Sequence, residues 1–297
     1  MIKKRVGYGW LYNWFTTTSE EGLAPEGWKV PNDEDFNEMI HHLITMKYGR
    51  LYTWPVTQKT LITGFTVPTD AEWTAMTDYI DTEYNQSPDE FGVGNHLKSR
   101  RQVNSPLGAP WATEVHPRWN EHATEYGRDT LGFSVLPNGR RSFSSQFILY
   151  HELGSLTTLW TSTEWNSTQA WFNAFSLTSS GNIRSRDDKR IAQGIPLLRN
   201  ATAGEQALDD GQSCGVVTDY DGNKYNTIKI DDKVWTQQNF AGTHYANGDP
   251  IPHVPDAGDW DDLTVTSEAY CNYDNDENNV FVIKKKVLKV AGKVLKI

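Results

Sequence analysis

A chain of 297 residues, 22% charged and 12% aromatic with 12 Trp, is long enough to bury a core without metal or disulfide staples and too rich in large rings to be disordered. Its formal net charge of −10, with a pI near 5.3 and a mean hydropathy of −0.62, excludes nucleic acid as a main partner, because no basic surplus exists to displace phosphate counterions. No apolar window of about 18 residues is present to cross a membrane, and two cysteines, Cys214 and Cys271, exclude a disulfide scaffold or a CxxC site while leaving a single disulfide open.

In chain order, the first signal is a duplication. YGWLYNW at Tyr8–Trp14 recurs as YGRLYTW at Tyr48–Trp54, and GWKVPNDEDF at Gly27–Phe36 recurs as GFTVPTDAEW at Gly64–Trp73. The basic start MIKKR is followed by a stretch broken by Gly and Asn with no small-residue cleavage site, so no signal peptide is expected there. In the first copy Asn32 reads as a helix N-cap and Phe36, Met39, Ile40 and Leu43 as the apolar stripe. In the second, Val67-Pro68 ends an extended segment, Thr69 caps, Glu72 completes a capping box, and Trp73, Met76 and Ile80 share a face.

Residues 81–130 read as a long loop. LGFSVLPNGRRSF then reads as strand, PNG turn and strand, LWTSTEW as a strand, and AWFNAFSLTSSGNIRSR as a hairpin around Ser179–Gly181, with GIPLLRN closing the set. A polar stretch from 201 leads to a hairpin turning at Asp221–Asn223 and a strand ending near Trp235. Prolines in ANGDPIPHVPDAGDWDDL oppose regular structure, and the lysine-rich VLKVAGKVLKI reads as a solvated terminal hairpin.

Catalytic and metal motifs are scarce. No HxH, HExxH, GxSxG, P-loop or GxGxxG occurs, and His41-His42 sits at a predicted helix end where such residues are ordinary. Glu114, His116, Glu121 and His122 gather in one stretch, as do Asp274, Asp276 and Glu277, but solvated loops are the plainer reading of both. Asp219, Asp221 and Asn223 miss the calcium-loop spacing, since Gly222 falls at the fourth position and Ile230 at the twelfth, so they read as a turn. No cofactor is expected.

What remains is TSTEWNSTQAWFNAFSLTSSGN. If 170–177 is a strand, its period of two predicts Trp171, Asn173, Phe175 and Leu177 inward, joined by Ile183 and Ser185, with Phe172, Ala174 and Ser176 outward. Asn182, Arg184 and Arg186 would then face solvent beside Asp188 and Arg190. That mixture of an aromatic, guanidinium groups and small polar residues suits recognition better than a plain half-solvated sheet.

GFTVPTDAEWTAM, LGFSVLPNGRRSF, LWTSTEWNSTQAWFNAF and GIPLLRN resemble the Fibrobacter succinogenes major paralogous domain, as do DGNKYNTIKIDDKVWTQQNF, NGDPIPHVPDAGDWDDL and AYCNYDND. The resemblance implies an α+β chain of the C-type lectin (formylglycine-generating-enzyme-like) fold, with few short helices and short antiparallel strands. The segment resembling the family's opening follows the core here instead of preceding it, so the segment order is permuted. Block by block this implies a partial N-terminal repeat (1–47), a core (48–200) with its candidate variable region at 160–200, a linker (201–215), the family's opening segment (216–280), expected to pack on the first YGWLYNW copy in the same chain or a neighbour, and a basic hairpin (281–297).

Many such domains are variable proteins of diversity-generating retroelements on phage tails or cell surfaces. Carried onto this sequence, the ligand-binding positions would be Asn166, Thr168, Phe172, Ala174, Ser176, Asn182, Arg184, Arg186 and Asp188, with Arg190 beside them, and the fixed ones Trp160, Ser162, Glu164, Trp171, Phe175, Gly181 and Gly194. The resemblance thus implies a non-enzymatic binding protein on a virion tail or outside a cell, meeting a host-surface protein or glycan as a homotrimer, without membrane insertion. The sugar-binding EPN and WND motifs of animal lectins are absent, and GIPLLRN departs from the family's usual close. The alternatives are a formylglycine-generating-type enzyme, which would need core cysteines that residues 1–213 lack, and a purely structural fibre or surface domain.

Overall fold

The computed structural model describes residues 48–85, 91–108, 116–143, 150–276, 288–290 and 293–295, all within one compact unit, Ile44–Ile297. The expectations for the first repeat copy, with Asn32, Phe36, Met39, Ile40, His41, His42 and Leu43, lie outside the described residues, as do Glu114 and Glu277.

The YGRLYTW copy supplies strand β1 (Leu51–Tyr52) and a 3-10 turn over Trp54–Gln58. Thr69 then caps helix α1 (Asp70–Tyr84): its hydroxyl accepts from the Glu72 N–H while the Glu72 carboxylate accepts from the Thr69 N–H. Such a reciprocal box contributes about 1 kcal/mol. Trp73, Met76 and Ile80 are buried as the stripe predicts, with Trp73 stacked on Trp235 at 5.0 Å and edge-on to Phe175.

Two findings revise the long-loop reading of 81–130. Helix α1 continues to Tyr84, because Tyr79 and Tyr84 both donate to Asp210, whose carboxylate also takes Lys229 Nζ and the Asp231 N–H. A second helix, α2 (Val93–Leu97), docks against the turn that follows residue 176. A side chain at Gly92 or Gly94 would collide with the backbone of Ser180 and Gly181, and Lys98 donates to the carbonyls of Ser176 and Ser179.

The five strands that follow form one sheet: β2 (Asn138–Arg141), β3 (Tyr150–Leu153), β4 (Leu156–Glu164), β5 (Gln169–Ser176) and β6 (Ile183–Asp188), in the order β3-β2-β4-β5-β6. The PNG turn is not made. Asn138 and Gly139 lie inside β2, which pairs antiparallel with β3, and Gly139 has φ 62° with the His151 carbonyl 2.6 Å from where a Cβ would stand. This glycine therefore answers a close backbone approach within a strand, a need that resembles a turn when read locally.

GIPLLRN is likewise shared between sheets. Gly194 bridges Leu159 of β4, and the chain then crosses to form β7 (Leu198–Asn200) in a second sheet ordered β7-β10-β9-β8. That sheet is built by β8 (Ser213–Thr218), β9 (Lys224–Ile230) and β10 (Lys233–Thr236), so the hairpin at Asp221–Asn223 and the strand ending near Trp235 both form. Beyond it, helix α3 (Ala257–Asp261) interrupts the proline-rich stretch and buries Trp260. Strand β11 (Tyr270–Cys271) pairs with β1, and β12 (Leu288–Val290) pairs antiparallel with β13 (Lys293–Leu295) as a hairpin.

The described part of the 216–280 block, up to residue 276, packs in cis on the second repeat copy, the first lying outside the described residues: Leu51 faces Cys271 and Tyr52 faces Tyr270, while Tyr225, Phe240, Tyr245 and Ile251 share a core with Tyr52, Trp54 and Trp160. Cys271 is buried and Cys214 half-buried, both as free thiols. The fold is a mixed α+β chain, mostly short strands with few short helices. Among the described residues no helix is long and apolar enough to cross a membrane.

Candidate functional site

The register of the β5–β6 hairpin decides which side chains share a face. Trp171 stands opposite Arg186, Asn173 opposite Arg184 and Gln169 opposite Asp188, while Phe172 stands opposite Ser185 and Ala174 opposite Ile183. Arg184 and Arg186 therefore share the Trp171 face instead of opposing it. Ile183, expected inward, is 40% exposed.

Phe172 and Ala174 are buried at 7% and 2% exposure, which corrects their expected outward placement. They join Ala170, Trp160 and Val234 in one core, with Phe172 edge-on to Trp160 at 6.2 Å, whereas Phe175 on the other side of the same strand packs against Trp73 in a second core. Both faces of the sheet are covered there, so alternation along β5 does not separate core from surface.

The exposed end of the hairpin is different. Trp165, 47% exposed, meets the half-buried Trp171 edge-on at 5.0 Å. The Arg184 guanidinium lies 3.7 Å from the Trp171 ring centre and that of Arg186 4.7 Å from the Trp165 ring centre. These are the distances of arginine stacked on an aromatic face.

The supports of this patch come from several elements. Asp70, the first residue of α1, takes Arg184 in a two-pronged pair at 2.7 and 2.6 Å, which raises the arginine further above its ordinary pKa. The Asn166 side chain accepts from the N–H groups of Thr168 and Gln169, closing the β4–β5 turn. Buried Lys189 pins the same turn by donating to Glu164 at 2.7 Å and to the Ser167 carbonyl, with Trp54 beneath it. A register shift between Trp160 and Glu164 lets Thr161 donate to the Trp171 carbonyl and Ser162 to the Val67 carbonyl.

Of the expected ligand-binding residues, Asn166, Thr168, Arg184 and Arg186 are exposed and lie around the two tryptophans. Ser176, Asn182, Asp188 and Arg190 are half-buried and engaged: Ser176 with Thr178, Asn182 with Asn173, and Arg190 with Asp188. Burial pushes the Asp188 carboxyl up, but the hydrogen bonds and charge of Arg190 outweigh it and hold the group below its usual range. The sequence reading missed Trp165 and Asp70 and placed Trp171 wholly inward. A tryptophan inside the polar run EWNSTQ was the signal for the first, since such a run predicts a turn that offers no core to bury a ring.

The histidine stretch is committed to structure. The Tyr48 hydroxyl and His116 Nδ1 share a hydrogen bond at 2.5 Å, His122 Nδ1 accepts from the Glu125 N–H, and Glu121 accepts from Asn104. Among the described residues no three His, Cys, Asp or Glu side chains converge as a metal site.

No curated protein and no solved structure matches the chain. A family model does match, described as the Fibrobacter succinogenes major domain, and it does so twice, over residues 2–47 and 45–193. Those spans contain both repeat copies and every strand that carries the patch, and they take up well over half of the sequence: the chain belongs to the Fibrobacter succinogenes major domain family.

Proposed function

We propose that the chain is a non-enzymatic ligand-binding protein of the C-type lectin kind, a variable protein of a diversity-generating retroelement serving as a phage tail receptor-binding protein or surface adhesin. The observation that carries this reading is the surface patch of Trp165, Trp171, Arg184 and Arg186, carried by the β4–β5 turn and by strands β5 and β6, beside Phe172, Ala174 and Phe175, which are built into two cores. Large aromatics and arginines held rigid at a surface match the composition of binding hot spots, and nothing in the folding of the hairpin calls for an exposed tryptophan. Positions inside the scaffold suit a fixed role. Trp160 is fully buried and donates to the Tyr52 carbonyl at 2.9 Å, and a side chain at Gly194 would meet Asn138 and Asn239 within 3.0 Å.

The chemistry of the thiols favours binding over catalysis. Burial raises both the Cys214 and the Cys271 pKa, which disfavours the reactive thiolate. A homotrimer would place three such patches on one particle and raise avidity without new contacts. The test is to sequence the coding segment for residues 160–200 across isolates. Substitutions are expected to concentrate at Asn166, Thr168, Arg184 and Arg186 and to spare Trp160, Phe172, Phe175 and Gly194. An even spread would sink the reading.

A further inference from the structure

Among the described residues, the charges beside the two tryptophans cancel in pairs, with one exception. Arg184 is taken by Asp70, Lys189 by Glu164 and Arg190 by Asp188. Arg186 has no carboxylate and no hydrogen-bond partner among the described residues, and its guanidinium rests on the Trp165 ring. Stacking leaves the edge N–H groups of a guanidinium free and holds the plane in place, so much of the cost of ordering it is met before a partner arrives. The bidentate partner that fits such a fork is a carboxylate.

We propose that Arg186 receives a single Asp or Glu carboxylate from a protein partner, in a segment whose neighbouring residues are apolar enough to cover Trp165; this rests on the ligand-binding reading above. Two observations favour protein over carbohydrate. One face of each indole already carries a guanidinium, at 3.7 and 4.7 Å, so one of the two ring faces on which a sugar would stack is taken in each. Strand β6, which carries both arginines, is the edge of its sheet among the described residues, so an extended segment can approach alongside it. The chain's net charge of −10 disfavours a densely acidic partner, and one isolated carboxylate is what the one cation left open at this patch among the described residues matches.

Asp70 sets that count. By cancelling Arg184 it keeps the site at one open positive charge; without it, two guanidinium groups two positions apart on the same face of β6 would favour a pair of acids. Asp70 is thus a specificity-determining residue supplied by helix α1.

The experiment probes the full chain on an array of immobilised 12-residue peptides, each made with its acids and again with Asn or Gln in their place, beside an array of sialylated and neutral glycans. The wild type is expected to be retained by peptides with one acid next to an apolar residue, and amidation should weaken retention about tenfold or more. Arg186→Ala should lose a similar factor, Arg186→Lys should recover part of it, and Asp70→Asn should shift preference several-fold toward peptides with two acids. Absence of any retained acidic peptide, indifference to amidation, or unchanged retention by Arg186→Ala overturns the inference. Retention by sialylated glycans in place of peptides overturns the protein partner. Trp165→Ala separates the two levels: if it abolishes retention while amidation and Arg186→Ala do nothing, the binding patch stands and this inference falls. If Trp165→Ala is also without effect, both fall.

Discussion

Phe172 and Trp165 are large aromatics in the same polar run, and the fold treats them oppositely. Phe172 is 7% exposed in the core beside Trp160, whereas Trp165 is 47% exposed at a turn. Truncating a buried phenylalanine removes its burial and leaves a cavity, so Phe172→Ala should cost about 3–5 kcal/mol. Trp165→Ala empties no core and should stay within about 0.5 kcal/mol of wild type. Urea unfolding of the two variants checks this, and equal costs would contradict the two placements. Neither fate was legible from residue type, since hydrophobicity ranks the two side chains alike. What separates them is place: Phe172 lies within β5 over the core, and Trp165 in the β4–β5 turn.

At the scale of elements, helix α1 was legible almost completely. Its start is fixed by Thr69 and Glu72, three residues apart, and its buried stripe by a 3.6-residue period, both local properties of the chain. The β5–β6 hairpin was also legible as a hairpin, but its faces were not. Register belongs to a pair of strands, and it is set here by the turn that α2 and Lys98 grip from outside.

Lys98 itself makes a pH prediction. Burial pushes its pKa from 10.5 down to about 8, with Glu125 opposing the shift. The folded chain then releases this proton near pH 8 while the unfolded chain keeps it to about pH 10.5, so the unfolded state binds more protons in that window and stability from this group rises with pH across it. Urea midpoints measured from pH 7.5 to 10.5 should rise for the wild type relative to Lys98→Met. Parallel curves for the two proteins would remove the buried ammonium from the account.

At the scale of the molecule, the 216–280 block is structural for the core that precedes it. Trp235 stacks on Trp73, β10 pairs with β7, β11 pairs with β1, and Asp210 and Lys229 tie helix α1 to the second sheet. A chain ending at residue 205 should therefore lose cooperative thermal unfolding by circular dichroism, and one ending at residue 280 should regain it. A cooperative transition in the shorter chain would show that the core stands alone.

By itself the sequence determined the acidic, ring-rich, α+β character of the protein, its repeat, its family, and the places where a cap or a turn is written in adjacent residues. The tertiary structure decided that the block after residue 216 pairs with the second repeat copy, that both faces of β5 are buried, and that Trp165, Trp171, Arg184 and Arg186 meet with Asp70 between helix and sheet. The division has a physical cause. Caps, stripes and tight turns are energies of neighbours along the chain, whereas register, sheet coverage and charge cancellation are energies of residues that only the fold makes neighbours.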